Sequence, residues 1–486
     1  MGVQRIAHML KDAFTFNSPG LSFKDKFKLS LPAPILSVSG VIIHQVFLKY
    51  YTDVIGLTPA MVGWVYTLYN IWNAVNDPLF GVLLDRRPPD PKRGKYVYLM
   101  KVTVPVMLLA TFAMAWSSPS WSQWVIFGVF TGLLFIFDTA QTVYNIALSS
   151  YVLLRAPTKE ERMDIGTIGN YVTYIMSWAV SVVPTLLLIN HTTQRVFIPV
   201  FMVIMLFQSA IFVAALWGLP DPPELYASVE LVHTDFRETL KMAWSILKSR
   251  PFLAAIAYSI IAMGALRFYT TAYLYYMGGA VKVDGITATI INTAAHVVAL
   301  MLMPIMNSIT KAYGTKLAIY WGMIPASIGY LGITFATTIW EISIFWTLIV
   351  ISTIYFGVAI GPMNGLIIDE DEWRTGVRKT GLYNGMFNLC TTAFASIQLI
   401  IFTNVIGTAG YVGKAAVQTP QAQWGIRLAT GAIPLLCLVV GLIPMIWYPF
   451  TRHREQEISA HSHAIRAAAS QAAAQKLPGE PTGLDQ

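Results

Sequence analysis

About twelve apolar stretches, each roughly the 20 residues that a helix needs to cross the hydrocarbon core of a bilayer, constrain what this chain can fold into. They fall near 31–51, 58–84, 96–116, 123–151, 164–189, 196–218, 252–277, 284–309, 314–338, 340–368, 380–408 and 423–449. The runs are continuous, not segments of about ten residues alternating with period two, so a transmembrane β-barrel is excluded. Composition agrees. Of 486 residues, 55% are hydrophobic and 12% charged, about half the charged share of a soluble domain. The expected fold is an all-α membrane protein with twelve transmembrane helices.

Lys and Arg concentrate in loops 85–95, 155–163, 219–251, 310–316 and 369–379 and in both tails, whereas the opposite loops hold few. The positive-inside rule therefore puts both termini in the cytoplasm, and an even number of spans agrees. The net charge of +8 is an orientation signal spread over short loops, and no nucleic-acid partner is expected. Residues 1–30 read as a cytoplasmic amphipathic segment without a cleavable signal peptide, so the first span acts as its own insertion signal. Residues 31–218 form a first six-helix bundle and 252–449 a second. Between them, 219–251 is a cytoplasmic linker with an amphipathic helix, Leu240, Ala243, Trp244 and Leu247 sharing one face. Residues 450–486 form a cytoplasmic tail, a frayed Ala-rich helix followed by disorder. Cys390 and Cys437 both fall inside spans and are expected to be buried thiols without a disulfide. Six spans, a linker and six spans is the layout of the major facilitator fold, in which solutes bind near the midplane between the halves.

Asp77 lies within the second apolar stretch, and a carboxylate at that depth marks an ion or solute path. Asn70 and Asn73 precede it by seven and four residues, on the same helical face. In the fourth stretch Asp138, Gln141, Asn145 and Ser149 again share a face, with spacings of three, four and four. Two such stripes, each holding an acid, suggest a lined cavity more than interhelical glue, which remains the alternative reading. Arg267, deep in the seventh span, needs a carboxylate partner such as Asp77 or Asp138, or else an anionic ligand. His44 and His296 are intramembrane, with Asn292 one turn before His296; each can relay protons or simply pack. Asp85, Arg86, Arg93 and Lys95 after the second span, and Asp369, Asp371, Arg374 and Arg378 in the loop joining spans ten and eleven, suit gate latches that form in one state and break in the other.

Several of these residues carry a resemblance. Tyr51-Thr-Asp-Val-Ile-Gly56, Ile71-Trp-Asn-Ala-Val-Asn-Asp-Pro78, Arg93-Gly-Lys95 and Arg374-Thr-Gly-Val-Arg378 with Gly381 are similar to segments of the glycoside–pentoside–hexuronide:cation symporter family, to which the melibiose permeases belong. The similarity runs over about residues 30–450. It implies transport of a sugar-like solute by alternating access, with no enzymatic activity, no cofactor beyond a co-transported cation, and a monomer in a bacterial inner membrane. The chain also departs from the pattern. The family's first second-helix acid is Asn73 here. By alignment the fourth-helix acid is Asn145, the fifth-helix arginine Asn170, the first-helix sugar-holding acid Ser37, and the helix-eleven basic residue Leu389, beside Asn388. Fewer anionic oxygens suit sodium less well, because it is a hard cation. The expectation is therefore proton coupling through Asp77, with Asn73 and Asp138 beside it and uncoupled facilitation as the alternative. The solute is expected to meet Ser37, Asn70, Gln141, Asn145, Ser149, Asn170, Arg267, Asn292, His296 and Asn388. Loss of the sugar-holding acid leaves room for a second reading, transport of a lysolipid or small peptide. A more remote one is a non-transporting membrane sensor.

Overall fold

Backbone polar groups in a bilayer must bond within their own segment, and the chain meets this with rods in sequence. The computed structural model describes residues 21–86, 88, 90, 94–156, 159–189, 193–221, 244–376, 380–413, 415, 417–458, 460 and 461. The rods are α1 (Phe23–Ile55), α2 (Pro59–Arg86), α3 (Tyr96–Ala115), α4 (Gln123–Arg155), α5 (Lys159–Ile189), α6 (Gln194–Trp217), α7 (Arg250–Tyr275), α8 (Gly285–Tyr313), α9 (Thr315–Phe335), α10 (Ile339–Thr375), α11 (Thr380–Thr408) and α12 (Pro420–Trp447). A short helix, α13, covers residues 452–458. Among the described residues, 9 helices are long and apolar enough to cross a membrane. The polar stripe of α2 keeps it out of that set, and the described residues of α7 and α11 include the apolar pieces Arg250–Ala262 and Ile397–Thr408.

Two boundaries differ from the sequence reading. The first helix starts at Phe23, inside the segment expected to precede it, because Ser22 caps it by accepting from the Asp25 amide at 3.2 Å. Lys26 is then buried at 1% exposure, which is tolerable because its ammonium meets Asp164 of α5 at 2.8 Å. At the other boundary, α10 runs on through Thr375. Asp369, Asp371 and Arg374 therefore occupy its last turns, not a loop. The helix stops at Gly376, whose φ of +69° favours glycine and whose N–H donates to the Glu372 carbonyl at 2.8 Å. Of the linker helix, only Trp244–Leu247 is described, with Ile246 buried and Trp244 exposed; Leu240 and Ala243 lie outside the described residues. In the tail, α13 is folded and docked, since buried Glu455 accepts from the Thr315 amide at 3.0 Å.

Within the first half α3 packs on α4, and α4 on α2; within the second α9 and α8 pack on α10, and α7 on α12. Across the seam α2 meets α11, α5 meets α8, and α1 meets α7. Outward-facing side chains such as Trp64, Leu109, Leu206, Met301 and Trp340 are exposed, as expected where acyl chains are the solvent. Helix α1 widens to π geometry over Ile42–Phe47 and Tyr50–Ile55. Such wide turns often mark functional positions, and His44 and Gln45, in the first of them, line a central cavity.

Candidate functional site

Helices α2 and α4 are joined at mid-depth by one polar network. Asn73 Nδ2 donates to Asp138 Oδ1 at 2.8 Å, and Asn76 Nδ2 to Asp138 Oδ2 at 2.9 Å. Asn76 Nδ2 also reaches Thr142 Oγ1 at 3.2 Å, and Thr142 gives its proton to Asp77 Oδ1 at 2.7 Å. Spacing produces this arrangement. Asn73, Asn76 and Asp77 are three and four residues apart on α2, and Asp138 and Thr142 are four apart on α4. Beside the network Trp72 donates to Thr139 at 3.1 Å and stacks on Phe135, which fixes the register of the two helices. Asp138 is 1% exposed and Asp77 is exposed, so one carboxylate is locked and the other accessible. Among the described residues, Asn76 Oδ1 is buried without a partner.

Next to this network a cavity of about 300 Å³ opens at the seam, where Ser37, His44 and Gln45 of α1 face Asn70 of α2, Thr271 of α7 and Gln398 of α11. A side chamber of about 90 Å³ adjoins it, sharing Val41, Gln45 and Thr270. Its walls are Tyr174, Ser177 and Trp178 of α5, Tyr269 of α7, and Asn292 and His296 of α8. Aromatic faces alternating with amides and hydroxyls suit a solute that is apolar on its ring faces and hydroxylated at its edges.

At the face opposite the termini the two halves close on each other. Lys49 pairs with Asp53, Tyr411 from the α11–α12 connection donates to both Asp53 oxygens at 2.8 and 3.0 Å, and Thr52 bonds the Tyr275 hydroxyl at 2.8 Å. Gly413 is required here, because a Cβ would collide with the Thr52 carbonyl. By contrast, the Arg374–Asp371 pair at 3.2 Å lies within α10, with Arg374 62% exposed. It is a local contact along one helix, and exposed pairs contribute little. The Lys95 amide is held by Asp221 at 3.0 Å.

Of the residues expected to meet solute, the cavities thus collect Ser37, Asn70, Asn292 and His296. Asn145, Ser149 and Asn170 are exposed and line neither cavity; Gln141 Oε1 is buried without a partner among the described residues. The side chains of Arg267, Asn388, Asp85 and Arg86, and all of Arg93 and Arg378, lie outside the described residues. Asn76 and Thr142 were missed as members of the α2–α4 polar network, and Gln45 and Gln398 as cavity residues. Asn76 adjoins Asp77 and could have been found; Gln45 depends on the widened turn of α1, which spacing at 3.6 residues does not foretell.

The family model described as MFS/sugar transport protein matches residues 29–452. The chain belongs to that family. It is thus an integral membrane transporter with the major facilitator fold, and not an enzyme. The uncharacterized symporter YjmB of Bacillus subtilis is 22% identical over 432 residues, covering 86% of this chain and 90% of the relative. A glucuronide carrier protein homolog of Escherichia coli is 22% identical over 425 residues, covering 85% and 89%. Among solved structures, the nucleoside transporter NupG superposes with a TM-score of 0.60 at 15% identity, covering 88% of this chain and 99% of NupG. That likeness supports the fold alone, and it is the fold that sets the α1, α2, α7 and α11 walls of an MFS/sugar transport protein around one cavity at the seam.

Proposed function

We propose that this protein moves a sugar-like solute, a glycoside or hexuronide, across a bacterial inner membrane by alternating access, coupled to protons, with both termini in the cytoplasm. The observation that carries the coupling is the chain Asn73–Asp138–Asn76–Thr142–Asp77 beside the seam cavity. Both Asp138 oxygens are occupied by amide N–H donors, which leaves Asp77 as the accessible carboxylate to take and give a proton. Neutralising it removes a charge at the seam and biases the halves toward one opening. The closed face around Lys49, Asp53 and Tyr411 is then the outer gate, shut while the cavity communicates with the cytoplasm. The glucuronide carrier homolog supports the solute class, as does the mixture of aromatic and amide walls.

A second reading, sodium coupling, is favoured by one observation: Asn76 Oδ1 is a buried oxygen with no partner among the described residues, beside Asp77 and Asp138. The two are separated by uptake in proteoliposomes of purified protein, offered glycosides, uronides and lysolipids under an imposed proton or sodium gradient. Glycoside or uronide uptake driven by protons and uncoupled by Asp77→Asn supports the main reading. Sodium-driven uptake replaces it with the second, and uptake of lysolipid alone overturns the sugar-like solute.

A further inference from the structure

The side chamber holds a hydrogen-bond pattern that selects one kind of solute group. His296 Nδ1 lies 2.8 Å from the Asn292 backbone carbonyl, and His296 Nε2 lies 2.9 Å from the Tyr269 hydroxyl. A carbonyl oxygen only accepts, so Nδ1 carries the hydrogen. In the neutral ring Nε2 is then the acceptor, and Tyr269 must donate to it. The Tyr269 proton is thereby committed, and only the lone pairs of its oxygen remain for the chamber. Asn292 is a donor here: its Oδ1 accepts from Trp346 Nε1 at 3.3 Å, and its amide N–H groups stay available to the chamber. Across the chamber, Ser177 Oγ on α5 is buried with no partner among the described residues. A buried hydroxyl left unsatisfied is costly, and a bound group would relieve it.

We infer that the Tyr269–His296 pair is a specificity-determining element that accepts a solute hydroxyl and rejects an anionic group. A hydroxyl can give its proton to Tyr269 and accept from Asn292, satisfying both. A carboxylate or sulfonate has no proton to give, and it would set its lone pairs against those of Tyr269. The chamber, at about 90 Å³, has room for a hydroxyl-bearing edge of a ring and not for a whole sugar. It therefore takes the neutral end of the solute, and any anionic group sits in the larger cavity. His296 is a positioning residue here, acting through Tyr269. The inference rests on the sugar-like reading above and specifies how that solute is oriented.

Two arms test it on the full chain. In the first, nitrogen NMR of isotope-labelled histidine, with His296→Gln to assign the signal, is expected to give a protonated Nδ1 and a bare Nε2 whose resonance moves in Tyr269→Phe. A hydrogen on Nε2, or no response to Tyr269→Phe, overturns the pair. In the second, p-nitrophenyl β-D-glucuronide and its single-deoxy analogues compete for uptake. One analogue is expected to be weaker by about tenfold on wild type, and to within about twofold of the parent on Tyr269→Phe and His296→Gln. Transport with an unchanged analogue ranking in both variants overturns this inference alone. A wild type that moves no glycoside sinks the sugar reading, and the inferred hydroxyl with it.

Discussion

Lys49 Nζ lies 2.6 Å from Asp53 Oδ2, with the two side chains 2% and 6% exposed, one turn apart on α1. The pair is buried by the second half of the protein: Lys49 sits 4.8 Å from the centre of the Tyr275 ring, and Tyr411 donates to Asp53. An ion pair whose burial depends on the partner bundle must be rehydrated whenever the halves part. Desolvation opposes closure and the added donors favour it, so the balance is small and reversible.

Removing one member leaves the other charge buried and uncompensated, a destabilisation of about 3–5 kcal/mol of the closed face. Asp53→Asn should therefore shift the population toward an open outer face. With the native cysteines replaced, a single cysteine at Ser37 should react several times faster with an impermeant maleimide added from the outer side in Asp53→Asn. An unchanged rate would remove this cluster from the gate.

Asp77 and Asp138 should separate when each is neutralised. Asp77 is exposed and its network contact is one hydroxyl donated by Thr142. Asp77→Asn should keep the fold and lose gradient-driven accumulation by about tenfold or more, while solute exchange down its own gradient persists. Asp138→Ala strips the acceptors from two amides, and should cost about 1–3 kcal/mol of stability, read as a lower melting temperature in detergent. Equal melting of the two variants would contradict this division of roles.

How much of this was legible in the chain follows from what kind of information each feature needs. The spans were readable because apolar runs of bilayer length are a one-dimensional signal: α11 was expected at 380–408 and is found at Thr380–Thr408. That Asn73 of α2 meets Asp138 of α4 could be guessed from helical faces, since each helix presents one polar stripe. The cluster around Asp53 could not. Its residues come from α1, α7 and the segment near Tyr411, and no spacing along the chain brings positions 53 and 411 together. The acids and bases at 369–375 were placed in a loop for a related reason. Charge composition suggested a loop, whereas helix propensity carries α10 to Gly376, so Asp371 and Arg374 meet along one helix.

Asp221 caps a helix from outside it. Its Oδ2 accepts from the Lys95 and Val97 amides at 3.0 and 3.1 Å, satisfying the first turn of α3 from the start of the linker. Asp221→Ala should cost about 1 kcal/mol and lower amide-exchange protection at the start of α3, with solute affinity unchanged. A loss of affinity instead would mean that this contact reaches the cavity.

Glu455 gives a pH dependence with a defined sign. It lies in α13, beyond the last span, and burial pushes its carboxyl above the ordinary value of 4.5, against the Thr315 hydroxyl and backbone N–H donors that lower it. An acid whose folded value is raised binds its proton more tightly when docked than when free. The stability that it lends to docking is therefore fully present below the undocked value and is lost as pH rises through the docked one. Docking of α13 onto the start of α9 should tighten on acidification, seen as higher exchange protection of residues 452–458 after correction for intrinsic rates. Glu455→Gln, which keeps a hydrogen-bonding side chain of the same shape and cannot titrate, should flatten that dependence. If the glutamine variant retains the full pH response, the groups responsible lie elsewhere.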